Sequence, residues 1–255
     1  LNTYKDYEDE YEIVKNPLEL QFENIDKLFN AFEVSMEQNA YTEVGKIVKA
    51  IADVIGNLKV IIEETRPIVS LGKNLIPKKE DDIKNIYDKM TREGYNLEYL
   101  NIDYNIEEAN KKIQDIFQRL NVLNVEDSLF ELKTMHDYFD SLYADFDKER
   151  YSKKIYEDYS RSILLKATKL EKVNNELFKK IGDIKYSYDL SDDEVLVISE
   201  IKKEIMEIRA SYDKVVDTAR SKILAYSKLA REMEIINSKL IKTEEKLNGA
   251  LKTLG

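Results

Sequence analysis

From Val195 to Leu254 the apolar side chains recur mostly in steps of three and four, as in Val195, Ile198, Ile201, Ile205, Ile208, Tyr212, Val215, Ala219, Ile223, Tyr226, Leu229, Met233, Ile236 and Leu240. This spacing keeps side chains on one face of an α-helix, and no Pro or Gly interrupts it before Gly249. The pattern predicts a single helix over 192–253, opened by the capping sequence Ser191-Asp192-Asp193-Glu194. Such a helix is roughly 90 Å long, far longer than a compact domain is wide. A second long helix is predicted over 126–181, with Leu129, Leu132, Met135, Phe139, Leu142 and Phe146 on its stripe. That stripe continues less regularly through Tyr156, Ile163, Leu170 and Ile181, and its weakest part is the polar stretch 147–154.

Shorter elements precede these two. Asn16-Pro17 reads as a helix start, with Asn as cap and Pro at the first helical position. Leu18, Phe22, Ile25, Leu28, Phe29, Phe32 and Met36 then mark one face. After a turn at Asn39-Ala40-Tyr41, with Thr42 as cap, a second face runs from Val44 through Ile62. Pro67 and Pro77 are each expected to end or kink a helix, because Pro lacks the N–H and clashes with the preceding turn. Gly94 suits the residue just past a helix end near Arg92. The stretch 95–103 has no helical period and reads as an ordered connector, with a further helix starting near Asn105.

Two long helices joined by a short connector fold back antiparallel and zip along their stripes. Their apolar faces are widened by Leu164, Val216, Ile235 and Ile241, and that width calls for a third helix. The expected fold class is therefore all-α: an elongated rod of spectrin-like triple-helix bundles with long shared helices and antiparallel coiled-coil packing. Two domains are expected, a bundle of shorter helices over 1–125 with a corner at 94–104, and a repeat over 126–255 built on the two long helices.

Composition narrows the chemistry. Only 7 Gly and 3 Pro occur in 255 residues, which removes most strand and hairpin options. With no Cys and a single histidine, His136, neither disulfides, Cys-based catalysis nor the common zinc sites can be drawn. The net charge of −10 argues against a nucleic-acid binder. Acidic pairs such as Asp81-Asp82, Glu107-Glu108 and Asp192-Asp193 fall in first turns of predicted helices, where negative charge complements the dipole. Tyrosines at helical spacing, among them Tyr4, Tyr7, Tyr11, Tyr151, Tyr156 and Tyr159, read as bundle-edge residues. No catalytic, metal or cofactor site is predicted, and no enzyme. The one candidate site is the corner Gly94, Tyr95, Leu97, Leu100 and Asp103, read either as a packed structural corner or as a docking loop.

Several of these segments resemble, in order, the bacterial septation ring formation regulator (EzrA) family. Ile76-Pro77, a helix, and then Gly94-Tyr95-Asn96-Leu97-Glu98-Tyr99-Leu100-Asn101-Ile102-Asp103 match a family pattern of Leu-Pro, helix, and Gly-Tyr-x-Leu-x-x-Leu-x-x-Asp. Asn39-Ala40-Tyr41 followed by a helix and Arg66-Pro67-Ile68-Val69 resembles its turn-helix-Ile-Pro segment. The stretch 129–154 resembles its entry to the long coiled region, and Tyr186-Ser187-Tyr188-Asp189-Leu190-Ser191-Asp192-Asp193 its tyrosine-containing linker. Ile76 stands where Leu is usual, and Arg66 where an apolar residue precedes Pro. The family's N-terminal membrane helix and its C-terminal Gln/Asn/Arg-containing patch have no counterpart here, so the resemblance makes this an internal part of a cytoplasmic region.

The resemblance implies a non-enzymatic scaffold at the septum, on the cytoplasmic side of the membrane, in a single-pass anchored protein whose anchor lies outside this fragment. It implies binding to the tubulin-like GTPase FtsZ, restraint of ring assembly, and links to other division and cell-wall synthesis proteins. No nucleic acid or cofactor is implied, and a homodimer is compatible with it. The rival reading is an unrelated coiled-coil rod, the spacer arm of a larger assembly. Arms of that kind follow strict two-stranded heptads, whereas Pro67, Pro77 and the Gly94 corner point to bundled short helices at one end.

Overall fold

The computed structural model describes residues 2–184 and 191–254, so the part of the linker motif from Tyr186 to Leu190 lies outside the described residues. The described residues form no strand. Their helices are α1 (Asn2–Asp6), α2 (Lys15–Glu37), α3 (Tyr41–Val69), α4 (Ile76–Arg92), α5 (Ile102–Leu120), α6 (Ser128–Ile184), α7 (Asp192–Ser221) and α8 (Tyr226–Leu254). The all-α fold expected from periodicity and from the scarcity of Gly and Pro is what the chain adopts.

Contacts divide the chain into two compact units. One holds the residues up to Ile86 together with Leu100–Tyr143, and the other holds Tyr87–Tyr99 and the residues from Ala144 onward. In the first unit, a 3₁₀ segment (Glu8–Val14) links α1 to α2 and lies against α3. Tyr11 is fully buried there and donates its hydroxyl to the Ile62 carbonyl at 2.8 Å, while Arg66 meets Glu10 at 2.6 Å. The 3₁₀ turns run directly into α2, so the helix begins at Lys15 and Asn16 is not its cap. Nor does Thr42 cap α3, which starts one residue earlier at Tyr41.

Pro67 does not end its helix. α3 passes through it to Val69, then through a π-helical segment (Ser70–Leu75) into α4. Ile61, Ile68, Ile76 and Ile83 are all buried along this path, and burial of such side chains at about 1.5–3 kcal/mol each outweighs a proline penalty of about 3 kcal/mol. Pro77 falls just after the π segment, whose wider register already displaces the bond its missing N–H would have made. Gly72 lies against α5 so closely that a Cβ would sit 2.7 Å from the Phe117 ring.

α4, α5 and the first part of α6 are tied pairwise within this unit. Lys79 meets Asp140 at 2.6 Å, Tyr143 donates to Asp82 at 2.5 Å, Lys84 meets Asp103 at 2.5 Å, and Asn105 donates to Tyr138 at 2.6 Å. Between them lie the buried side chains of Ile83, Ile113, Ile116, Leu132 and Phe139. By contrast, no residue from Glu19 to Ala50, along most of the α2–α3 hairpin, is buried.

In the second unit the later part of α6 packs with α7 and α8 around Ile163, Ala167 and Leu170 of α6, Ile201, Ile205 and Ile208 of α7, and Leu229, Met233 and Leu240 of α8. The expected single helix over 192–253 is thus two helices. It breaks at Lys222–Ala225, and α8 folds back along α7. The stripe survives the break because each half uses it to face the other. Ile223, nominally on the stripe, is 68% exposed at the bend. The wide apolar face that called for a third helix is satisfied by this fold-back.

Glu80 of α4 is buried opposite Asn110 of α5, whose amide, turned to suit both groups, donates to both carboxylate oxygens at 3.0 Å. Burial, opposed by the Asn110 bond and reinforced by the charge of Asp81, raises its pKa to about 7. An acid whose folded pKa is raised binds extra protons in the native state, so its contribution to stability falls as pH rises from about 4.5 to about 7. Glu80→Gln is therefore expected to stabilise the chain relative to the parent at pH 8, by about 1–2 kcal/mol after allowance for solvent screening. Urea titrations should show that advantage shrinking at pH 5, and an equal difference at both pH values counts against this account.

Candidate functional site

The corner begins where α4 stops. Gly94 N–H donates to the Thr91 carbonyl and Tyr95 N–H to the Met90 carbonyl, both at 3.0 Å, the paired bonds of a Schellman helix end. This geometry needs a left-handed residue, and Gly94 has φ +93°. Its missing side chain also leaves room for Lys222, whose amine would lie 3.0 Å from a Cβ at Gly94. The chain then turns inward, burying Tyr95 and Leu97.

The corner and α6 together hold the bend between α7 and α8. α7 ends at Lys222, a non-glycine residue at φ 56°. The side-chain amide of Asn96 donates to the Lys222 carbonyl at 3.1 Å and to the Ile223 carbonyl at 3.0 Å, satisfying acceptors that the broken helix leaves open. The bend residues Ile223, Leu224 and Ala225 include none of the side chains that cap helices. The cap comes instead from Glu149 of α6, which is fully buried. Its carboxylate accepts the Tyr226 N–H at 2.9 Å and the Ser227 N–H at 3.3 Å, placing negative charge at the positive end of α8.

Tyr99 completes the arrangement by donating its hydroxyl to Glu149 at 3.1 Å. Burial of that hydroxyl, and then the charge of and bond to Glu149, push its pKa well above the ordinary tyrosine value. The Tyr95 and Tyr226 rings meet edge to face at 5.4 Å, Tyr156 lies 5.7 Å from Tyr226, and the Lys153 amine sits 5.1 Å from the Tyr95 ring centre. Burial raises the Tyr95 and Tyr226 pKa values as well. The polar stretch 147–154, the weakest part of the α6 stripe in sequence, is where the bend is held.

The predicted site residues divide between the units. Gly94 and Tyr95 lie against the bend, at Lys222 and Tyr226, and Leu97 is buried in the same unit. Leu100 and Asp103 belong to the other unit, where Leu100 is half-buried and its carbonyl accepts from Asn105 at 3.2 Å, and Asp103 is exposed and paired with Lys84. Glu149, Asn96 and Lys222 were not legible as a set, being separated by more than 50 residues at each step. The arrangement supplies hydrogen-bond acceptors and donors that set backbone direction. His136 stands apart, its Nε2 3.2 Å from the Lys79 amine. Among the described residues no group of three or more His, Cys, Asp or Glu side chains could hold a metal.

Glu149→Ala should leave two N–H groups of α8 without their acceptor and cost about 2–3 kcal/mol, with Glu149→Gln costing less because one oxygen remains. Denaturant unfolding measures the loss, and faster amide exchange at Tyr226 and Ser227 than in the middle of α8 would localise it. Unchanged stability and exchange in the Ala variant would sink the capping role. Gly94→Ala is expected to cost about 1 kcal/mol, since the backbone there is left-handed. A Gly94→Ala chain as stable as the parent by the same titration would refute that.

No helix among the described residues is long and apolar enough to cross a membrane. No solved structure matches the chain. Curated relatives do: a septation ring formation regulator of Staphylococcus epidermidis is 21% identical over 92% of this chain and 42% of its own length. One from Streptococcus gordonii is 19% identical over 89% of this chain and 40% of its own, and one from Listeria monocytogenes 17% over 88% and 39%. The chain thus spans about two-fifths of the length of these relatives. The model of the family described as septation ring formation regulator, EzrA, matches residues 2–254, and the chain belongs to that family.

Proposed function

We propose that this chain is a non-enzymatic scaffolding part of a cell-division regulator that binds FtsZ and restrains assembly of the division ring at the cytoplasmic face of the membrane. The observation that carries the reading is the family match from residue 2 to residue 254, which takes in every described helix. Under this reading the helices act by presenting surfaces and holding spacings, and other division and cell-wall synthesis proteins are further partners. The corner Gly94–Leu97 acts as a structural joint and not as a docking loop. Supporting this, Tyr95 and Leu97 have their side chains buried and Asn96 is committed to two bend carbonyls.

Co-sedimentation of the chain with GTP-assembled FtsZ filaments, with light scattering followed in parallel, tests the proposal. Saturable pelleting with reduced scattering is the expected result. Absence of pelleting at tens of micromolar, from a chain that circular dichroism shows to be helical, would remove direct FtsZ binding from this region.

A further inference from the structure

The α2–α3 hairpin carries an apolar groove with no third helix over it among the described residues. Phe22, Ile25 and Phe29 of α2 and Ile55, Leu58 and Ile62 of α3 line it, with Asp26 on the α2 wall and Lys59 and Glu63 on the α3 wall. Phe29 is 48% exposed and Ile55 46%. The paired helices α7 and α8, by contrast, close their apolar face against α6. A stripe of this size left open to water is unusual for a stable surface. We propose that a second copy of this chain covers it, the two hairpins packing face to face about a two-fold axis parallel to the helices. This inference is independent of FtsZ binding.

The excess of acid on α2 and the Asp26–Lys59 complement favour one symmetry for such a pair. From Leu18 to Glu37, α2 carries Glu19, Glu23, Asp26, Glu33 and Glu37 against Lys27 alone. From Tyr41 to Glu63, where the groove ends, α3 carries Lys46, Lys49 and Lys59 against Glu43, Asp53 and Glu63 and is neutral. A two-fold axis along the helices sets the acidic α2 of one copy over the neutral α3 of the other. It also makes every neighbouring pair antiparallel, as in a four-helix bundle. It brings Asp26 of one copy to the level of Lys59 of the other, since the two residues line the same stretch of groove. An axis across the helices would instead stack α2 on α2 and set acid against acid. Some 30 Å of two helices, each about 10 Å wide, gives a footprint near 600 Å² per copy, or about 1,200 Å² in total, the lower end of what a stable dimer buries.

Sedimentation equilibrium of the chain from about 1 to 100 µM should show a concentration-dependent shift from one chain to two. Phe29→Asp with Ile55→Asp should abolish the shift while helicity is kept, because neither side chain is buried within the chain. Asp26→Lys and Lys59→Glu should each weaken association about three- to tenfold, and the two together should restore it. The chain has no cysteine of its own, so mixing an Asp26→Cys chain with a Lys59→Cys chain under oxidation should give a crosslinked mixed dimer without background. A monomer throughout the range would overturn the proposal and leave the groove to a helix of another polypeptide segment. Crosslinking of Asp26→Cys chains to one another in preference to the mixed pair would overturn the axis.

Discussion

A helix can be broken where its own residues favour continuing it, provided that something else satisfies the backbone groups exposed by the break. Here the carboxylate of Glu149 does so. At Lys222–Ala225 the chain has no Pro, no Gly and no capping side chain, yet it turns back on itself. The bend costs a left-handed lysine, worth roughly 1–2 kcal/mol, as well as several intrahelical hydrogen bonds. Glu149 accepts the first N–H groups of α8, and Asn96 donates to the carbonyls left at the bend. The reward is the three-helix core of α6, α7 and α8, in which Ile163, Ile201, Met233 and Leu240 are fully buried.

The joint couples local events to tertiary ones. Asn96 reaches the bend only because α4 stops at Gly94 and the chain turns inward at Tyr95. Tyr99 reaches Glu149 because the next few residues form a short 3₁₀ turn, Glu98–Leu100. A buried carboxylate is costly unless its lone pairs are occupied. Two backbone N–H groups and a phenol occupy those of Glu149, so its charge becomes a means of positioning α8.

The two units treat their apolar faces differently. Around α6, α7 and α8 the stripes close on one another, as they do for α4, α5 and the start of α6 through the buried Ile83, Ile113 and Phe139. Among the described residues the α2–α3 hairpin has a seam but, over most of its length, no cover. Phe29 and Ile55 are left half-exposed there.

By itself the sequence determined the helical class, most helix positions and two of the joints. Periodicity placed α6 within a few residues, Gly94 marked the end of α4 because only glycine takes φ +93° at little cost, and Ser191 with Glu194 opened α7, where Glu194 accepts the Ser191 N–H at 3.3 Å. These signals are local, so they can be read locally. Only the tertiary structure decided that α3 would run through Pro67 and that the stripe from Val195 onward would fold in two. In both cases the deciding energy is burial against distant helices, and at the bend the cap itself comes from a residue 77 positions upstream of Tyr226. A repeat of threes and fours shows which face is apolar. It is the same in a continuous helix and in two halves that fold back to share that face, and only the partner that fills it tells them apart.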